Sequence, residues 1–192
     1  MTISFKERVK GVLITQAQIY NIEFLNKEYL IYSSEFKYNS FYIIAAKKDN
    51  FLHLTGVSTN LKANDFFDKC LNGTLIEDDF DVKGSKQKGS VRRKINSLPD
   101  AFKLFNGQRI LVEENFIKNG ISCSFASSDK KCTLGFTHTK KAKPQTLLKG
   151  NELRNPISVD VIAVKNEGEE LFNIVYVSNK DIDLEQFFIK LK

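Results

Sequence analysis

The texture of the chain changes near residue 107, and this change limits the fold more than any other feature. Before it, apolar side chains fall mostly at helical spacing. Residues 4–19 place Phe5, Val9, Val12, Leu13, Gln16 and Ile19 along one face, which predicts an amphipathic first helix. Residues 61–71 gather Phe66, Phe67, Cys70 and Leu71 on one side, and Asn72-Gly73 supplies a stop. A further helix is predicted after Ser90, read as its N-cap, with Val91, Ile95 and Leu98 inward and a break at Pro99. From residue 108 the blocks are strand-sized (108–113, 120–126, 131–138, 157–164 and 171–178), parted by turn signals such as Asn119-Gly120. Helices followed by strands predict an α+β domain with a mostly antiparallel sheet. A short closing helix is expected over 183–191.

Three shorter blocks interrupt the helical half. Residues 28–33 and 40–46 are aromatic and β-branched and read as strands. Lys47-Lys48-Asp49-Asn50 reads as a turn into Phe51-Leu52-His53-Leu54-Thr55, a hairpin candidate. On this reading residues 1–39 form an N-terminal extension of helix and strand, and 40–192 the main domain.

Composition removes several function classes. No stretch approaches the ~18 uninterrupted apolar residues of a membrane span, and Met1 to Arg8 lack the apolar segment of a signal peptide. A cytoplasmic protein without membrane association is expected. Three cysteines (Cys70, Cys123, Cys132) and two histidines (His53, His138) outline neither a disulfide framework nor a zinc cluster, so no metal or other cofactor is expected. Glu77, Asp78, Asp79 and Asp81 are dense enough to hold magnesium, but read first as a solvated acidic loop. Nucleotide-binding glycine loops and the Gly-x-Ser-x-Gly elbow are absent.

The net charge of +6 is unevenly spread: residues 1–81, 82–150 and 151–192 carry −2, +11 and −3. The central excess comes in two runs without acids. One contains Lys83, Lys86, Lys88, Arg92, Arg93 and Lys94; the other Lys130, Lys131, Lys140, Lys141, Lys143 and Lys149. Joined by the fold, they would form a phosphate-backbone footprint, with Lys86, Lys88, Arg92, Arg93, Lys131, Lys140, Lys141 and Lys143 as nucleic-acid contacts. Apart, they would be solvated loops. Phe125 and Phe136 flank the second run, where exposed rings would stack on bases; alternating strand phenylalanines more often fill a core.

If 51–55 is a strand, His53 and Thr55 share one face and Leu52 and Leu54 the other. An acid–base candidate then sits beside a hydroxyl, just before Gly56, which permits close approach. Arg92, Arg93 and Lys94 fall in the first turns of the helix expected after Ser90. Cations there oppose the helix dipole, a cost that a bound anion would offset. His138 reads as a surface residue.

Taken together, Asn50-Phe51-Leu52-His53-Leu54-Thr55-Gly56, Lys62-Ala63, Phe66-Phe67, Arg93-Lys94, Leu134-Gly135-Phe136 and the segment from Pro144 to Leu148 resemble the phage-associated branch of the BECR nucleases, a group named for barnase, EndoU, colicin and RelE. The resemblance spans roughly residues 40–150 or further. It implies helices followed by an antiparallel sheet, and a metal-independent endoribonuclease of toxin or phage-conflict type. It also implies RNA as substrate and an antitoxin or immunity protein as a possible partner. Carried onto this chain, the implied catalytic positions are His53, Thr55, Lys94 and Thr146, the last standing where many members have serine. The implied reaction is attack of a ribose 2′-hydroxyl on the neighbouring phosphorus, with His53 moving the proton, Lys94 stabilising charge and the two threonines holding phosphate. The competing reading is an inert RNA-binding or protein-interaction module on the same fold.

Overall fold

A computed structural model describes residues 3–82, 84–178 and 182; the helix expected over 183–191 lies outside them. Its first helix, α1 (Phe5–Glu23), is capped by Ser4, whose hydroxyl accepts the Glu7 N–H at 2.9 Å. The buried face carries Val9, Leu13, Gln16, Ala17 and Tyr20. Among the described residues three more helices follow: α2 (Lys48–Thr55), α3 (Ala63–Leu71) and α4 (Gly84–Ala101). A single 3₁₀ turn, Glu77–Asp79, precedes α4. Among the described residues no helix is long and apolar enough to cross a membrane.

Two of these elements correct the sequence reading. Residues 51–55 are helical, because Asn50, Phe51, Leu54 and Thr55 bury one helical face and the Asn50 side chain accepts the Lys47 N–H at 2.9 Å. Gly56, at φ +77°, then ends the helix in the left-handed conformation. A Phe-Leu-His-Leu string suits either period, so the flanking cap residues decide. The second correction concerns α4, which begins at Gly84, not after Ser90. Arg92, Arg93 and Lys94 therefore lie in its third turn, away from the helix start, and the dipole argument for an anion there falls. Pro99 is accommodated in the last turn without ending the helix, which runs on to Ala101.

The described residues also form twelve strands: β1 (Lys27–Tyr32), β2 (Tyr42–Ile44), β3 (Leu111–Glu114), β4 (Ile117–Lys118), β5 (Ile121–Ser122), β6 (Phe125–Ser128), β7 (Cys132–Phe136), β8 (Lys141–Ala142), β9 (Pro144–Lys149), β10 (Ile157–Ser158), β11 (Val161–Asn166) and β12 (Asn173–Val177). One sheet runs β12-β11-β1-β2-β8, a second β10-β3-β6-β7-β9, and β4-β5 is a small hairpin. Every pairing is antiparallel except β2 with β8, so the class is α+β with mostly antiparallel sheets. Strand β1, in the segment expected as an extension, is central to the first sheet; Lys27 pairs with Asn166 and Tyr32 with Val161.

The main core joins the helices to one face of each sheet. Tyr20 sits at its centre, with ring centroids 5.0–5.7 Å from Phe24, Phe51, Phe67 and Phe102. Its hydroxyl donates to the Lys47 carbonyl at 2.9 Å, which removes the cost of burying it. Phe125 and Phe136 stack at 4.6 Å, both fully buried, so neither ring is free to receive a base.

Candidate functional site

The Phe51-Leu52-His53-Leu54-Thr55-Gly56 string divides into scaffold and exposed chemistry once its helix is known. Phe51 and Leu54 are fully buried. Thr55 is also fully buried; its hydroxyl donates to the Leu52 carbonyl at 2.8 Å and accepts the Val57 N–H at 3.3 Å. Those bonds close the end of α2 and turn the Thr55 hydroxyl inward. His53 is exposed, and in a helix it does not share a face with Thr55.

Lys94 is the residue brought to His53. From α4 its ammonium reaches across and donates to the His53 carbonyl at 2.8 Å. The aliphatic stem lies over Gly56: a Cβ built there would stand 3.0 Å from Lys94 Cδ and 3.7 Å from Val91 Cγ2. Gly56 thus serves both a positive φ and the passage of a lysine stem. Burial holds the Lys94 ammonium below the usual lysine range, since desolvation penalises its charged form.

Thr146 lies elsewhere. In the second sheet Val112, Ser127, Leu134 and Leu147 pair laterally in one row, and Val112, Leu134 and Leu147 belong to the core shared with the helices. The next row, Glu113, Ala126, Gly135 and Thr146, faces the other side, where Ala126 packs with Phe116 and Cys123. Thr146 is 4% exposed, with its methyl against Gly135. The structure therefore joins His53 to Lys94, turns Thr55 inward and leaves Thr146 on the opposite face of the sheet.

The two basic runs also separate. Lys86, Lys88, Arg92 and Arg93 are exposed along α4, with Arg92 over the Phe5 ring at 5.5 Å. Lys131 lies beyond the far end of α4, paired with Asp100 at 3.3 Å. Lys141 lies in β8, at the edge of the first sheet, and Lys140 and Lys143 flank it. The separation arises because the second run spans a crossing between sheets. His138 is exposed, with Nε2 3.0 Å from the Ser122 hydroxyl.

The acidic loop is partly neutralised internally. Asp79 pairs with Lys69 at 2.7 Å and accepts the Ile76 N–H at 2.9 Å; these bonds hold its carboxyl below the usual range. Among the described residues no group of three or more His, Cys, Asp or Glu side chains is placed to hold a metal ion. Lys47 and Lys48 escaped the sequence reading because they belong to the net-acidic part of the chain, and only the fold carries them to Lys141 and Lys143.

No curated protein and no solved structure matches the chain. The sequence model of one family does match, over residues 13–190, covering nearly all of the α+β architecture and the whole of the α2–α4 seam. By that match the chain belongs to the family described as phage-Barnase-EndoU-ColicinE5/D-RelE like nuclease4.

Proposed function

We propose that the protein is a metal-independent endoribonuclease with its chemistry at the seam of α2 and α4. One observation carries this reading: His53 is the exposed polar side chain of the His-Leu-Thr-Gly turn, and the carbonyl of that same residue receives the Lys94 ammonium. An imidazole and a cation are thereby fixed to one short stretch of backbone, which limits how far either drifts from the other.

In this reading His53 accepts the proton of a ribose 2′-hydroxyl. The 2′-oxygen forms a bond to the adjacent phosphorus, the bond to the 5′-oxygen breaks, and that oxygen takes a proton from solvent. Lys94, held in a partly desolvated position, offsets the charge that builds on the phosphoryl oxygens. The products are a 2′,3′-cyclic phosphate and a 5′-hydroxyl. Thr55 and Gly56 act on the turn and leave the phosphate to the cations. DNA, which lacks the 2′-hydroxyl, is spared.

The test is cleavage of mixed-sequence RNA by wild type, His53→Ala and Lys94→Met, with and without chelator. His53→Ala should lower the rate by roughly 10²–10⁴-fold, the usual range for a proton-transfer residue. Wild-type rates in a folded His53→Ala protein, or equal cleavage of DNA, would reject the mechanism.

A further inference from the structure

Beside the β8 edge the first sheet and the start of α2 enclose a cleft of about 580 Å³, far larger than one phosphate group. Five lysines line it (Lys27, Lys47, Lys48, Lys141 and Lys143) against two carboxylates, Glu28 and Glu167. Glu28 is only 5% exposed, and its carboxylate is taken up by Lys141 and, at 3.7 Å, by Lys165. Its charge is thus largely cancelled from within. Lys48 pairs with Asp68 at 2.8 Å and Lys27 with Glu23 at 3.6 Å.

Lys47 and Lys143 differ from these neighbours. Among the described residues neither makes an ion pair, yet both line the cleft. Their backbones are fixed: the Lys47 N–H donates to the Asn50 side chain at 2.9 Å and the Lys143 N–H to the Thr137 hydroxyl at 2.9 Å. Two backbone-anchored lysines without an ion-pair partner among the described residues thus line one cleft in which Glu167 is the carboxylate left to oppose them, and an anion entering it would meet a positive excess.

The other basic run stands in a different field. Gln87, between Lys86 and Lys88 on α4, donates to the Ser58 hydroxyl at 2.8 Å. Ser58 in turn lines a hollow with Asp78, Asp79 and Asp81. Carboxylates therefore lie close to the first run and offset part of its potential, with Asp79 itself paired to Lys69 and Lys6 lining the same hollow, whereas the β8 cleft sets five lysines against two carboxylates.

We propose that this cleft holds the sugar–phosphate backbone of the nucleic-acid substrate, with Lys47 and Lys143 as the direct phosphate contacts. The inference rests on the nuclease reading for the class of ligand, but not on which residue cleaves. It assigns the electrostatic part of substrate binding to β8 and the start of α2, and not to the exposed cations of α4.

Binding is read by fluorescence anisotropy on a short 2′-O-methyl RNA and on single-stranded DNA of the same sequence, neither of which offers a 2′-hydroxyl nucleophile. The full chain is compared with Lys47→Gln/Lys143→Gln and with Lys86→Gln/Lys88→Gln, two double variants of equal net charge. Each phosphate contact contributes a slope of about 0.7 in log affinity against log salt for single strands, so the cleft variant should lose about 1.4 of the wild-type slope. The α4 variant should keep it. Equal losses in the two variants, an unchanged slope in the cleft variant, or no binding by wild type at low salt would overturn the proposal. Loss of cleavage in His53→Ala with this salt dependence intact would separate the cleft from the chemistry.

Discussion

Replacing Gly56 by alanine tests both the helix end and the placement of Lys94. An L-residue at φ +77° costs about 1–2 kcal/mol in the left-handed region. The new methyl would also stand 3.0 Å from Lys94 Cδ. That stem is flexible and can move aside, but the movement draws Nζ away from the His53 carbonyl. For a partly solvated charged hydrogen bond we take the loss as about 1 kcal/mol, below the usual range for such bonds. Together the changes predict a destabilisation of about 2–3 kcal/mol, which for a chain of this size lowers Tm by about 5–10 °C. Urea unfolding followed by circular dichroism measures it. Gly56→Asn divides the two effects, since asparagine tolerates the left-handed conformation yet still brings a Cβ against Lys94. It should recover most of the stability while RNA cleavage stays as low as in Gly56→Ala. A Gly56→Ala protein within ~0.5 kcal/mol of wild type, inside the spread of ordinary surface changes, would show that the left-handed cap does not govern α2. Full cleavage by both variants would show that chemistry does not use the Lys94 position.

Gly135→Ala should destabilise by about 1–3 kcal/mol through overpacking, because the added Cβ would lie 2.7 Å from Cys123 Sγ and 2.8 Å from Thr146 Cγ2. Combining it with Thr146→Ser, which removes that methyl, should return part of the loss in the same urea assay. Burial pushes the Cys70 thiol up to about 12 and the Cys123 thiol up to about 11, and raises Cys132 as well. Iodoacetamide at pH 8 should therefore modify none of them until denaturant is added, and rapid labelling of native protein would contradict the burial. Since the unfolded chain gives up these thiol protons first, unfolding free energy should fall as pH rises above the ordinary thiol pKa of about 8.5. Lys94 has the opposite sign: its folded pKa is depressed, so its burial penalty is present at neutral pH and relieved as pH rises through that lowered value. Cleavage that needs its charge should decline over the same window, and Lys94→Arg should move the alkaline limb upward in a pH–rate profile.

Most of the architecture could be read from periodicity, because α1, α3 and the strands β3, β6, β7, β11 and β12 each present an apolar pattern of one period and a clear stop. The failures share a cause. Residues 51–55 hold too few positions to separate periods of 2.0 and 3.6, and the deciding groups are a side-chain cap at Asn50 and the backbone sign at Gly56. The first turns of α4 contain glycine, lysine and glutamine, which carry no apolar signal; the helix there extends a segment anchored later by Val91 and Ile95. None of the strand-sized blocks covers Pro144–Lys149, which begins at a proline; tertiary pairing with β7 makes it strand β9. At the site, the resemblance named His53 and Lys94 together with Thr55 and Thr146, and of these the structure brings the Lys94 ammonium to the His53 carbonyl. The burial of Thr55 was hidden by the wrong period, and the seat of Thr146 by a sheet face that no local pattern states.

The central place of β1 also sets an order of events during synthesis. Its partners in β11 lie about 130–140 residues further along the chain, since Tyr32 meets Val161 and Lys27 meets Asn166. Until those residues leave the ribosome, one long edge of β1 has no strand to bond, and Ile162 and Val164 are missing from the core beside Tyr29 and Ile31. Pairing this remote is slow and closes late. A nuclease built this way completes its first sheet only after most of the chain has been translated, and a truncated translation product ending before residue 161 lacks the strand on which that sheet depends.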